Sequence, residues 1–111
     1  IKEEQIQVFP DKIIINIIDA SIGIYAPTKS MLPVLDTRTN GIRIVPGSED
    51  EIKVGDIISF EQGNDLIIHR VIEIGQDEQG KYFITKGDNN NISDGKIRFS
   101  QIKYKTIALI Y

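Results

Sequence analysis

A chain of 111 residues, 41% apolar and 26% charged with a formal charge of −3, is sized for one domain around one hydrophobic core. The acidic balance leaves no basic stripe for nucleic-acid phosphates. The absence of cysteine excludes disulfides, a thiolate nucleophile and zinc held by sulfur.

Isoleucine fills 24 of the 111 positions. Its branched side chain is stiff at χ1 and packs well on a pleated surface, so the composition leans towards strands. In chain order the strands are predicted at Gln5–Phe9, Lys12–Ile18, Ile22–Tyr25, Gly41–Val45, Asp56–Phe60, Asp65–Ile74, Lys81–Lys86, Lys96–Phe99 and Tyr104–Tyr111. Turn chemistry separates them at Thr39-Asn40-Gly41, Pro46-Gly47-Ser48, Gln62-Gly63-Asn64-Asp65 and the loop Gly75 to Gly80. Ser48 to Val54 is long enough for one helical turn. No amphipathic helix interrupts this rhythm, which predicts an all-β domain over residues 1–111: a partly open antiparallel barrel or two packed sheets.

No stretch approaches the roughly 20 apolar residues that cross a bilayer. The chain opens at Ile1 without a methionine or a charged signal region, as expected of a fragment of a longer protein.

The predicted strand from Asp65 to Ile74 carries His69, the only histidine of the chain. Strand alternation places His69 on one face with Ile67 and Val71, and Arg70 on the other with Ile68 and Ile72. A hairpin between this strand and Lys81–Lys86 then delivers the loop Gly87 to Gly95, with Asp88 and Asp94, to the neighbourhood of His69. A serine is a poor nucleophile until a base takes its proton, and a Ser-His pair in this chain has to use His69. Separately, Ser30-Met31-Leu32-Pro33 is ordinary turn chemistry. A lone strand histidine is ordinarily structural, and aspartates in an Asn-rich loop ordinarily cap their own backbone.

In order along the chain, four blocks resemble the boxes of the signal peptidase I family. They are Ser30-Met31-x-Pro33, Val54-Gly55-Asp56-Ile57-Ile58, Ile68-His69-Arg70-Val71-Ile72, and Thr85-Lys86-Gly87-Asp88-Asn89-Asn90 with Asp94 closing the loop. The resemblance covers about Thr28 to Ile97. A histidine stands where the bacterial enzymes carry a lysine base, so the resemblance is to the archaeal and endoplasmic-reticulum branch.

That resemblance implies a fold of the signal-peptidase catalytic-core type and a serine endopeptidase without metal or cofactor. Ser30 would be the nucleophile, His69 the general base and Asp94 the acid that orients it. Asp88 aligns with a family aspartate and is read as structural support paired with Arg70, with a second functional acid as the alternative. Asp56 is assigned to the fold. The implied oxyanion donors are the Ser30 N–H and the Thr28 hydroxyl. Lys29 departs from the pattern, since the family usually has glycine before the serine. It is a spare base on paper, but in an extended chain it would face away from the Ser30 hydroxyl.

The implied substrates are preprotein signal peptides with small residues one and three places before the cut, bound as an added strand beside the segment leading to Ser30. Shallow pockets lined by Ile24, Ile57 and Ile67 would select the small residues. The resemblance also implies an N-terminal transmembrane anchor before this domain, which would lie on the extracytoplasmic or lumenal face. Two rivals remain: a non-catalytic β module of the same fold, and a self-cleaving repressor-like peptidase. The latter uses a lysine base, which the His69-Arg70 pair argues against. Asp88 to Asp94 begins like a calcium loop but has Ile92 and Ser93 at the wrong places and Phe99 at the twelfth. Asn91-Ile92-Ser93 is formally a glycosylation sequon, read as coincidental in such a loop.

Overall fold

A computed structural model describes all residues, 1–111, and every regular element longer than one 3₁₀ turn is a strand. The strands are β1 (Ile6–Val8), β2 (Ile13–Ile15), β3 (Ser21–Ile24), β4 (Asn40–Ile44), β5 (Ile57–Gln62), β6 (Asp65–Asp77), β7 (Gly80–Lys86), β8 (Lys96–Ile97) and β9 (Ile102–Ile110). All nine predicted strands are present. β1 and β2 form a separate antiparallel hairpin, while the other seven build one antiparallel sheet in the order β3-β4-β9-β5-β6-β7-β8. The sheet does not close, and β3 and β8 are its edges.

The differences from expectation lie at strand ends. Asp77 pairs with Gly80, so the predicted loop Gly75 to Gly80 shrinks to Glu78 and Gln79 and the strands run further than their apolar residues do. Ladder hydrogen bonds extend a hairpin into polar sequence wherever the turn permits it. Lys96–Phe99 is strand only at Lys96–Ile97, because Phe99–Gln101 turns as a 3₁₀ helix. Lys12–Ile18 contracts to Ile13–Ile15. Ser48 to Val54 contains the expected single turn, at Glu49–Glu51.

β5 is the centre of the packing, since Ile57, Ile58, Ser59 and Phe60 are all buried. Alternation sends Ile58 and Phe60 into a core with Ile52, Val71, Phe83, Ile97 and Ile102. Ile57 goes to the opposite face and packs with Tyr25, Met31 and Leu35. The second cluster matters most for function: Met31 and Leu35 follow Ser30 directly, so burying them fixes the serine loop as a second layer on the sheet. Truncating a fully buried residue such as Phe60 to alanine would cost about 3–5 kcal/mol through lost transfer energy and the cavity left behind.

Candidate active site

β6 pairs with β5 from Asp65 to Arg70, but β7 pairs with β6 only from Arg70 onward. His69 therefore lies where the second neighbour ends, with no strand across from it on that side. The ring is nearly buried, at 8% exposure, and meets the Phe60 ring edge-on at a centroid distance of 6.3 Å. β7 ends at Lys86 and the chain loops out through Gly87 to Gly95 before returning as β8. The Asp94 N–H closes that loop by donating to the Thr85 carbonyl at 2.8 Å. The predicted hairpin thus delivers Asp94 to His69.

At this junction His69 Nδ1 stands 2.6 Å from Asp94 Oδ2, and His69 Nε2 stands 3.1 Å from Ser30 Oγ. An ionised carboxylate only accepts, so Nδ1 carries the proton and Nε2 is left to accept from the serine hydroxyl. Thr28 Oγ1 lies 3.1 Å from Ser30 Oγ, and the Ser30 N–H is directed at the same Thr28 oxygen at 3.4 Å. Thr28, Ser30, His69 and Asp94 thus form one continuous chain of hydrogen bonds.

Asp88 is elsewhere. Its two oxygens accept from Arg70 Nε at 2.9 Å and Arg70 Nη2 at 2.8 Å, a bidentate fork, while Arg70 Nη1 donates to the Gly55 carbonyl at 2.8 Å. Arg70 points away from His69, as alternation predicts, and ties the loop after β7 to the turn before β5. Asp56 accepts from the Lys53 N–H at 2.8 Å and pairs with Lys105 at 3.2 Å.

The serine loop is held by the Gly87 to Gly95 loop. The Asn89 N–H donates to the Ser30 carbonyl at 2.8 Å, and Asn89 Nδ2 donates to the Lys29 carbonyl at 3.1 Å. Gly87 is required by this contact, because a Cβ there would stand 2.7 Å from the Ser30 carbonyl oxygen. Lys29 is not in an extended chain as expected: its φ is +64, the left-handed region that glycine occupies freely. That accounts for a glycine preference at this place and shows that the local geometry is reached with lysine too. Lys86, the other nearby lysine, spends its ammonium on the carbonyls of Gly87 and Asn90, each at 2.8 Å.

One residue bonded into this cluster was missed in the sequence. The Thr85 hydroxyl donates to Asp94 Oδ2 at 2.8 Å, and Thr85 is fully buried. The available signal was alternation: Thr85 shares a face with the buried Phe83, an inward place where a hydroxyl needs a partner.

Ser30 and His69 open onto a groove of about 400 Å³ lined by Ile24, Ala26, Leu66, Ile67 and Ile68 among others. Ile24 and Ile67 line this groove. Ile57 does not: it is buried in the second core beneath Met31 and Leu35, because its place on β5 faces the serine loop's anchor. The exposed edge of β3 borders the groove on one side and the unpaired edge of Asp65 to His69 on the other.

Fold and site together define an all-β protein of the signal-peptidase catalytic-core type, with a serine, a histidine and an aspartate in hydrogen-bonded sequence. No protein-family model matches the chain. The human signal peptidase complex catalytic subunit SEC11C is 45% identical to it over 49 residues, 41% of this chain and 26% of the relative. Dictyostelium discoideum signal peptidase complex catalytic subunit sec11 is 47% identical over 45 residues, 38% of this chain and 25% of the relative. SEC11 of Scheffersomyces stipitis is 38% identical over 58 residues, 50% and 35% of the two chains. The family resemblance read from the motif order therefore holds: the curated homologues of this chain are catalytic subunits of the signal peptidase complex. The matched stretch spans about a quarter to a third of those relatives.

Proposed function

We propose that the chain is the catalytic domain of a signal peptidase, a serine endopeptidase that removes N-terminal signal peptides from secreted and membrane preproteins. The observation that carries this is the Thr28–Ser30–His69–Asp94 hydrogen-bond chain at one end of an apolar groove bordered by two open strand edges.

Each partner's task follows from its bonds. A substrate strand pairs with the open edge leading to Ser30 and presents its scissile carbonyl to Oγ, with small residues one and three places upstream seated over Ile24 and Ile67. Ser30 Oγ attacks the carbonyl carbon while His69 Nε2 takes the hydroxyl proton, and Asp94 steadies the resulting imidazolium through Nδ1. The Ser30 N–H, which in the free site donates to Thr28 Oγ1, and the Thr28 hydroxyl, which meets Ser30 Oγ, are the donors this reading assigns to the developing oxyanion. His69 returns the proton to the leaving amine nitrogen as the C–N bond breaks, leaving an acyl ester on Ser30. Water then gives its proton to His69, attacks the ester, and frees the signal peptide and the serine. Asp88, Arg70 and Asp56 hold the loops without touching the reacting atoms.

The domain would work on the extracytoplasmic or lumenal face, anchored by a transmembrane helix outside this sequence. In the structure itself no helix is long and apolar enough to cross a membrane. The test is incubation of the membrane-anchored protein with a preprotein beside Ser30→Ala and His69→Ala. Each variant is expected to lose cleavage by a factor on the order of 10⁴–10⁶, and the double variant little more, because such groups act as a unit. Near-normal turnover by either single variant sinks the mechanism.

A further inference from the structure

Arg43 is a half-buried guanidinium on β4 that lines the same groove as Ser30 and His69. It is fixed in place from two sides: Nε donates to Ser21 Oγ at 3.0 Å, and the guanidinium carbon lies 3.7 Å from the centre of the Tyr104 ring. Yet it has no ion-pair partner, unlike Arg38, Arg70 and Arg98. Its terminal nitrogens donate to nothing in the protein and reach solvent. Gly23 on the neighbouring strand has no side chain to cover it, since a Cβ there would stand 3.5 Å from Arg43 Cδ. A half-buried cation held rigidly and left unpaired is an arrangement for an acceptor that arrives from outside.

Its place along the groove narrows what that acceptor is. Arg43 is directly opposite Ser21, the first residue of β3, so it marks the end of the open strand edge remote from Ser30. A substrate strand paired along that edge runs out of partners here. Where the substrate chain upstream of the paired strand is helical and apolar, the last four carbonyls of that helix are unpaired at the change to strand. In apolar surroundings each unpaired carbonyl is costly, and arginine side chains commonly satisfy such helix ends.

We propose that Arg43 is a distal substrate-binding residue that receives the C-terminal main-chain carbonyls of the helical apolar segment preceding the cleavage strand. This rests on the signal-peptidase reading but is tested by binding alone. Recognition through main-chain carbonyls is independent of the substrate's side chains, which suits a groove that meets many sequences. It also sets a ruler between the helix end and the scissile bond.

The experiment measures fluorescence anisotropy of three labelled peptides against Ser30→Ala and Ser30→Ala/Arg43→Met proteins, so that nothing is cut. One peptide begins just upstream of the small residues. The second adds a Leu/Ala extension of about 15 residues, long enough for a helix. The third adds a Gly/Ser extension of equal length. The helical extension is expected to tighten binding about tenfold in the Arg43 protein and hardly at all in the Arg43→Met protein, with the short peptide unaffected by the substitution. Arg43→Gln makes the same comparison should the Met variant melt below the assay temperature. A gain that survives both substitutions, or that the Gly/Ser extension equals, overturns the proposal. Failure of cleavage by the unmodified serine protein would instead count against the peptidase reading.

Discussion

Thr85 and His69 donate to the same carboxylate oxygen, Asp94 Oδ2, the threonine hydroxyl at 2.8 Å and the imidazole Nδ1 at 2.6 Å. The Asp94 N–H donates in turn to the Thr85 carbonyl, so one strand residue holds the acid by backbone and side chain together. Thr85→Val keeps the shape and removes only the hydroxyl. Since a hydrogen bond to a charged group contributes about 1.5–3 kcal/mol, kcat is expected to fall about tenfold or more. KM should change little, the melting temperature should fall with the lost bond, and Thr85→Ser should restore both rate and stability. A serine variant as slow as the valine one would mean that packing, not the hydroxyl, is what matters.

Asp94 and Asp88 sit in one loop but have separate partners, His69 and Arg70. Asp94→Asn is expected to lower kcat on the order of 10⁴-fold with little loss of stability, because the amide no longer holds the productive imidazole tautomer. Asp88→Asn is expected to lower stability by about 1–2 kcal/mol through loss of the partly exposed bidentate fork, with a milder effect on rate. Rates and thermal melts on both variants settle the matter, and the opposite ranking would exchange the two roles.

Lys29 holds a left-handed backbone at φ +64 immediately before Ser30. A side chain in that region costs on the order of 1 kcal/mol, partly offset by the greater freedom of glycine in the unfolded chain. Lys29→Gly should therefore raise the melting temperature by up to a few degrees while cleavage persists. A lower melting temperature would show that the lysine side chain contributes more than the strain removes.

Asp77 accepts from Arg98 and Lys96 at the β6–β7 turn, and these bonds hold its carboxyl well below the usual aspartate range. A carboxyl depressed on folding stabilises the protein above its unfolded value, about 4, and that contribution fades as pH falls through the folded value. The melting-temperature gap between the native protein and Asp77→Asn should be widest near neutrality and narrow below about pH 4. A gap that stays constant down to pH 2 would assign the loss to packing.

The sequence by itself determined the nine strands, because isoleucine-rich runs broken by Gly, Asn, Asp and Pro are decided by local preference. It also placed His69 on one face with Ile67 and Val71 and Arg70 on the other, since a period of two needs no knowledge of neighbours. The motif order named Ser30, His69 and Asp94, although what brings Asp94 to His69 is the β6–β7 register, which sets Arg70 opposite Lys86, and what brings Ser30 there is the burial of Met31 and Leu35. Other features depended on the tertiary structure. Ile57 and Ile67 are alike in sequence, yet one lies under the serine loop and the other in the groove, because β5 is covered on both faces and β6 is not. Thr85 acquired its partner only when the loop after β7 folded back to bring Asp94 over it. Lys29 took a glycine's backbone where Asn89 holds its carbonyl and the buried Met31 fixes the chain that follows. Strand formation is a local matter; the partner of each side chain is set by packing between segments tens of residues apart, and a single sequence does not encode that locally.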